Sequence, residues 1–248
     1  ELWIIAILTA AISFAGYLGV KTFGARAGYL IAGAVGGLSS STIVVMTFSR
    51  QARSAAAKVV RQLAAGALLG GAASAARAGL IAIGLAPELA PRLAPPFLTL
   101  IAAFCVSAWL LTRAAASADS SAMERPQLPN PLDLIEIGRT MAVLAAVFLA
   151  VRFMAQEGGA ASAIVTAAIT GTIDVHSVAA ATPALIHAGL SLPVAAWALL
   201  VSVAASTLAQ AALSFTGGAA FARSFTLHSV IGLAFAAFAA VIAAQWAG

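Results

Sequence analysis

From Gly28 to Phe48 the chain carries no charged residue, and stretches of the same kind recur along its length. About 20 mostly apolar residues make a helix long enough to cross a bilayer. In lipid only helices and closed barrels satisfy their own backbone. These runs are too long and too uniformly apolar for outer-membrane strands. The expected fold is therefore all-α, a polytopic membrane helix bundle. Charge agrees: 62% of the 248 residues are hydrophobic and only 8% are charged, where a soluble domain carries about 25%. The net charge of +5 suits cytoplasmic loops beside anionic lipid, with no nucleic acid implied. The one cysteine, Cys105, cannot form an intrachain disulfide and reads as a small buried hydrophobe.

About eight spans are expected, near 2–20, 28–48, 60–86, 97–112, 133–154, 159–182, 191–215 and 224–247. The 97–112 run is short and reads as extending into the preceding loop. Residues 113–132 hold Arg113, Asp119, Glu124, Arg125, Pro126, Pro129 and Pro131. That polar stretch separates a first membrane repeat, 1–112, from a second, 133–248. Arg50, Arg53, Lys58 and Arg61 crowd one connection, which places it in the cytoplasm. With eight crossings both termini share that side. The chain opens on Glu1 and enters apolar residues at once, which reads as an internal start within a longer protein, not as a signal peptide.

Two Gly-led breaks interrupt the runs. The first is Gly36-Gly37-Leu38-Ser39-Ser40-Ser41-Thr42 and the second is Gly171-Thr172-Ile173-Asp174-Val175-His176-Ser177. Hydrogen-bonding groups gathered within a membrane helix point to something polar that binds or passes there. Aligning Gly37 with Gly171 sets Ser40 against Asp174 and Thr42 against His176. Ser74 and Arg77 align with Ser206 and Gln210 after a one-residue slip. The two halves therefore read as repeats, parallel if each holds an even number of crossings and inverted if odd.

Within these repeats, Gly66, Gly70, Ser74 and Ala78 recur every four residues and let a neighbouring backbone approach closely. Arg77 lies beside that face, far from either helix end. Ser162, Thr166, Thr170 and Asp174 form one polar stripe; Ser202, Ser206, Gln210 and Ser214 form another. Serine and threonine can simply back-bond to the preceding turn. Asp174 is the one carboxylate expected well inside a span, and it calls for a cation, a proton or Arg77 as its partner. His176 stands two residues on, so both can face one site only where the helix unwinds. The candidate ion- or substrate-binding set is Ser39, Ser40, Ser41, Thr42, Arg77, Thr170, Asp174, His176, Ser206 and Gln210. No metal is specified by it and no cofactor is expected.

Several chemistries lack their signatures. The chain has no G-x-S-x-G elbow, Walker A loop or dinucleotide fingerprint. An intramembrane aspartyl protease needs a second membrane aspartate. The reading is therefore not an enzyme.

The first break with Phe48-Ser49-Arg50-Gln51-Ala52-Arg53 resembles the "GG-x-S-S-T … A-R" signature of an uncharacterised bacterial membrane domain. That domain follows an MgtC/SapB-type membrane domain in the same chain. Asn130-Pro131-Leu132-Asp133-Leu134 and Thr170–Ser177 resemble its two other signatures, the last read as "G-x-x-D-x-D-A". The resemblance covers nearly the whole chain, and Arg77 matches the family's arginine. The family's second acid falls on His176 here, which removes a two-carboxylate metal site. Ser206-Thr207-Leu208-Ala209-Gln210 stands where the family has "N-T-x-x-K", a neutral amide for a lysine. By association the resemblance implies magnesium or acid-stress physiology, with an MgtC/SapB-type domain as partner in the full-length chain and the bacterial inner membrane as location.

The leading expectation is a transporter or channel for an ion or small polar solute, in which Asp174 and His176 bind the coupling cation or proton. The rival is a regulatory or scaffold membrane protein in which Asp174 pairs with Arg77. The small-residue faces also suit a homodimer.

Overall fold

The computed structural model describes residues 28–116 and 159–246. The expected spans at 2–20 and 133–154, and the linker beyond residue 116, lie outside the described residues. Every regular element among the described residues is helical: α1 Gly28–Ala52, α2 Ala57–Leu85, α3 Ala90–Ala116, α4 Gly159–Gly171, α5 Val175–His187, α6 Leu192–Ser214 and α7 Ala219–Trp246. Short 3-10 turns at Pro87–Leu89 and Phe215–Gly217 precede α3 and α7. Five segments, Gly28–Ala52, Ala57–Leu85, Pro87–Arg113, Leu192–Gly217 and Ala219–Trp246, are long and apolar enough to cross a membrane; α4 is a shorter apolar helix. The chain is a multi-pass membrane protein.

Local chemistry sets the helix ends. Pro87 stops α2 two residues after Leu85, because the residue before a proline is driven out of helical geometry. α5 closes on Gly189, whose φ of 88° needs a glycine. There Leu190 N–H reaches back to the Leu185 carbonyl at 3.1 Å and Gly189 N–H to that of Ile186 at 2.9 Å, a Schellman closure. α3 tolerates Pro95 and Pro96 inside it and begins seven residues before the expected span.

Small residues fill much of the interior, and many large apolar ones face outward. Ala64, Ala65, Ala67, Ala78 and Ala82 are fully buried, while Leu80, Leu98 and Phe238 stand more than 60% exposed. This is the membrane arrangement: lipid tails solvate leucine as well as a protein core does, so packing selects small residues that let backbones meet. Cys105 follows the same rule. It lies on the outer side of α3, not in the core as expected, because Phe104, Ser107 and Ala108 take the buried face.

The chain divides into two compact units, each assembled from separated stretches. In the first (28–74, 101–116 and 210–232 among described residues), α1 is not straight. Ser40 leaves helical geometry at φ −157°, ψ 105°. On a straight helix the nineteen steps from Tyr29 to Phe48 would span about 28 Å, yet these rings meet edge to face with centroids 6.0 Å apart. A Cβ added at Gly36 would strike Val44, and one at Gly66 would strike both Tyr29 and Phe48. α1 therefore doubles back at Ser40 into a hairpin of two half-helices. α2 lies against it glycine to glycine, Gly33 on Gly66 and Gly37 on Gly70, with no room for a Cβ at any of the four. Beyond the hairpin, Arg53 Nε–H donates to the Thr216 carbonyl at 2.6 Å, and Gly217 packs on the Ser49 backbone.

The second unit (75–100, 159–209 and 233–246) holds α4 and α5 together with parts of α2, α3, α6 and α7. Gly171, the last residue of α4, sits so close to Ser202 of α6 that a Cβ would overlap its backbone. Gly79 of α2 lies against the Phe97 ring of α3, 3.2 Å from where its Cβ would stand.

Candidate functional site

The first break puts its hydroxyls at the start of the second half-helix of α1, where backbone N–H groups have no partner in the preceding turn. Ser40 Oγ accepts from Ile43 N–H at 3.4 Å, a long capping bond. Ser39 is exposed, Ser40 and Thr42 are half-buried, and Ser41 is buried. The Ser41 hydroxyl accepts from Gln210 Nε2 at 2.9 Å, and Gln210 is itself buried. Thus two residues of the candidate set, 169 positions apart, are joined within the first unit.

The second break is fuller. α4 ends as the Thr170 carbonyl accepts both Ile173 N–H and Asp174 N–H at 2.9 Å. Asp174 is extended, φ −153° and ψ 105°, and caps α5. These angles match those of Ser40, the residue aligned with it by sequence. Asp174 Oδ1 accepts from His176 N–H at 3.0 Å and lies 3.2 Å from the His176 Nδ1. Its other oxygen, Oδ2, accepts the Ser177 hydroxyl. The unwinding brings Asp174 and His176 together, as the Gly-led break suggested. The α5 dipole favours a negative charge at this end. A carboxylate can only accept, so a hydrogen bond at this contact has Nδ1 as its donor.

Asp174 is not sealed. Its side chain is 19% exposed and that of His176 12%, so a small ion or water can reach the carboxylate. Arg77 on α2 lies within electrostatic reach of Asp174, in the same unit. Thr170 and Ser206 are buried. Thr166 Oγ1 back-bonds to the Ser162 carbonyl at 2.8 Å. Ser202, fully buried on the α6 stripe where Gly171 touches it, has no hydrogen-bond partner for its Oγ. Among the described residues no group of three or more His, Cys, Asp or Glu side chains could hold a metal. His187 and His228 each pair with the carbonyl one turn back, Pro183 and Ser224, at 2.7 Å.

Ser177 was absent from the candidate set. Its signal was available: a serine three residues after an aspartate can reach the carboxylate when the aspartate is a helix cap. The Ser41–Gln210 pairing had no comparable sign in the sequence, since it joins two distant helices.

A family model for a domain of unknown function (DUF4010) matches residues 7–218. No curated protein matches the chain, and neither does any solved structure.

Proposed function

The chain belongs to the DUF4010 family, which carries no assigned activity, and we propose from its own residues that it is a non-catalytic membrane transporter or channel for an ion or small polar solute. The supporting observation is the unwound Asp174–His176–Ser177 cap: a partly accessible carboxylate between two half-helices of an otherwise apolar chain. Buried ionisable groups at helix discontinuities are the form that ion and proton sites take in membrane proteins. Asp174 and His176 bind the coupling cation or proton in this reading. Thr170, Arg77 and Ser206 set the polarity around them, and Ser39 to Thr42 with Gln210 form the counterpart at the first break.

The fold-back of α1 supports an architecture with two repeats, each of three crossings and one re-entrant hairpin. α1 enters and leaves by one face. The Arg53–Thr216 bond then requires the α6–α7 turn to share that face. If the expected span at 133–154, outside the described residues, crosses once, that face is reached only when α4 and α5 also return. The matching angles at Ser40 and Asp174, and the matching close approaches at Gly37 and Gly171, support the same reading. Three crossings per half make the repeats inverted.

The charges then separate cleanly. Among the described residues at helix ends and turns, Arg50, Arg53, Lys58, Arg61, Arg113 and Arg223 fall on one face in this reading, and Arg92 on the other. The first face is cytoplasmic. The expectation that both termini are cytoplasmic falls on residues outside those described. The resemblance adds the bacterial inner membrane and a preceding MgtC/SapB-type domain, and the small-residue faces suit a homodimer.

The Arg77–Asp174 proximity favours a second reading, a regulatory or scaffold protein held by a structural ion pair. Flux in proteoliposomes separates the two. Asp174→Asn keeps the cap geometry and removes the charge; the transport reading expects flux to fall at least tenfold with the protein still monodisperse. Undiminished flux excludes the proposed role. Function restored by Asp174→Arg combined with Arg77→Asp favours the ion pair.

A further inference from the structure

A cavity of about 200 Å³ in the second unit, lined by α3, α6 and α7 and open on one side, is walled by Phe97, Leu100, Trp197, Val201, Ala236 and Ala240 among other wholly apolar residues. The space arises because α7 sets alanines at 236, 237 and 240 opposite the rings of Phe97 and Trp197. An ion gains nothing there, and apolar cavities of this order stay dry and admit hydrocarbon. Its depth is informative. Phe97 and Trp197 lie seven and five residues inside the starts of α3 and α6, and Ala240 six before the end of α7. At 1.5 Å per residue that is about 10 Å below one membrane face, within a leaflet whose hydrocarbon is about 15 Å deep.

Charge completes the site. Pro96 and Leu100 both line the cavity, and Arg92 precedes Pro96 by four residues, on the same face of α3 one turn nearer the headgroups. Glu88, exposed in the 3-10 turn, lies one turn further out. Trp197 has the amphipathic ring that settles at interfaces. We propose that this groove is a binding site for a zwitterionic phospholipid of the phosphatidylethanolamine type. One acyl chain fills the cavity, the phosphate meets the Arg92 guanidinium, and the headgroup ammonium meets Glu88. The site is separate from the Asp174 cap and does not depend on the transport reading.

The test uses the full chain in detergent with Trp3, Trp109 and Trp246 replaced by phenylalanine, so that Trp197 reports alone. Titration with phosphatidylethanolamine brominated in its upper acyl chain is expected to quench Trp197 saturably. Phosphatidylglycerol with the same chains binds at least fivefold more weakly. Ala240→Phe abolishes the saturable phase, and Arg92→Gln weakens it about tenfold without changing the elution volume. Quenching that never saturates, or that matches a variant whose single tryptophan is Trp246, overturns the proposal. So does a groove filled by a second copy, read as Ala240→Phe converting a dimer to a monomer while quenching is unchanged. If Ala240→Phe does not fold, the Arg92→Gln and headgroup comparisons decide alone, and no difference in either rejects the site.

Discussion

Asp174 serves two purposes that lean on the same atoms. As a cap it satisfies the His176 amide and the Ser177 hydroxyl; as a partly open carboxylate it keeps reach toward a mobile charge. Asparagine retains an acceptor at the cap but not the charge, which is why it is the informative substitution. Gln210 is the opposite case. It is buried and its amide is tied to Ser41 at 2.9 Å, so it acts on the hairpin tip more than on any solute. Gln210→Leu removes that bond between membrane helices, and such bonds average about 0.6 kcal/mol and reach about 1.7. A modest fall in unfolding free energy, measured by denaturant titration in mixed micelles, is expected, together with greater reactivity of a Thr42→Cys probe. An unchanged probe would show that the amide does not hold the tip. The sequence announced Asp174 and His176 through the glycine before them. It was silent on Ser41–Gln210, because nothing local encodes which distant helix a small hydroxyl will meet.

Helix contents were legible where apolar length decides them, as in α2, α6 and α7, whose ends lie within a few residues of expectation. The fold-back of α1 was not. Apolar length and composition are the same for a span and for a hairpin of two half-helices, and both make Gly28–Ala52 long enough to cross. Contacts between the two arms, Tyr29 with Phe48 and Gly36 with Val44, tell them apart. The four-residue spacing of Gly66 and Gly70 did predict a close helix neighbour, and Gly33 and Gly37 supply it. Here substitution should be severe. Gly37→Leu drives a side chain into the Gly70 backbone, where overpacking of a tight contact costs about 1–3 kcal/mol or more. Loss of the folded, monodisperse species in size-exclusion chromatography is expected, whereas Gly84→Leu, with open space around it, should elute as the parent does.

For the whole molecule the decisive quantity is the number of crossings. With two re-entrant hairpins, single cysteines at Ser54 and Thr216 label from the cytoplasmic face, and cysteines at Glu88 and Gly189 label from the other. With eight crossings, Gly189 would share a face with Ser54 and Thr216 would share one with Glu88, so a label at Thr216 from the side opposite Ser54 would break the scheme. The glycine seam between the hairpin and α2 bears on how such a protein works. Backbones in direct contact cannot glide along each other, since every ridge is already seated in a notch. If the first hairpin opens a path, it must tip away from α2 as one piece, and force applied to either arm is felt at Ser40.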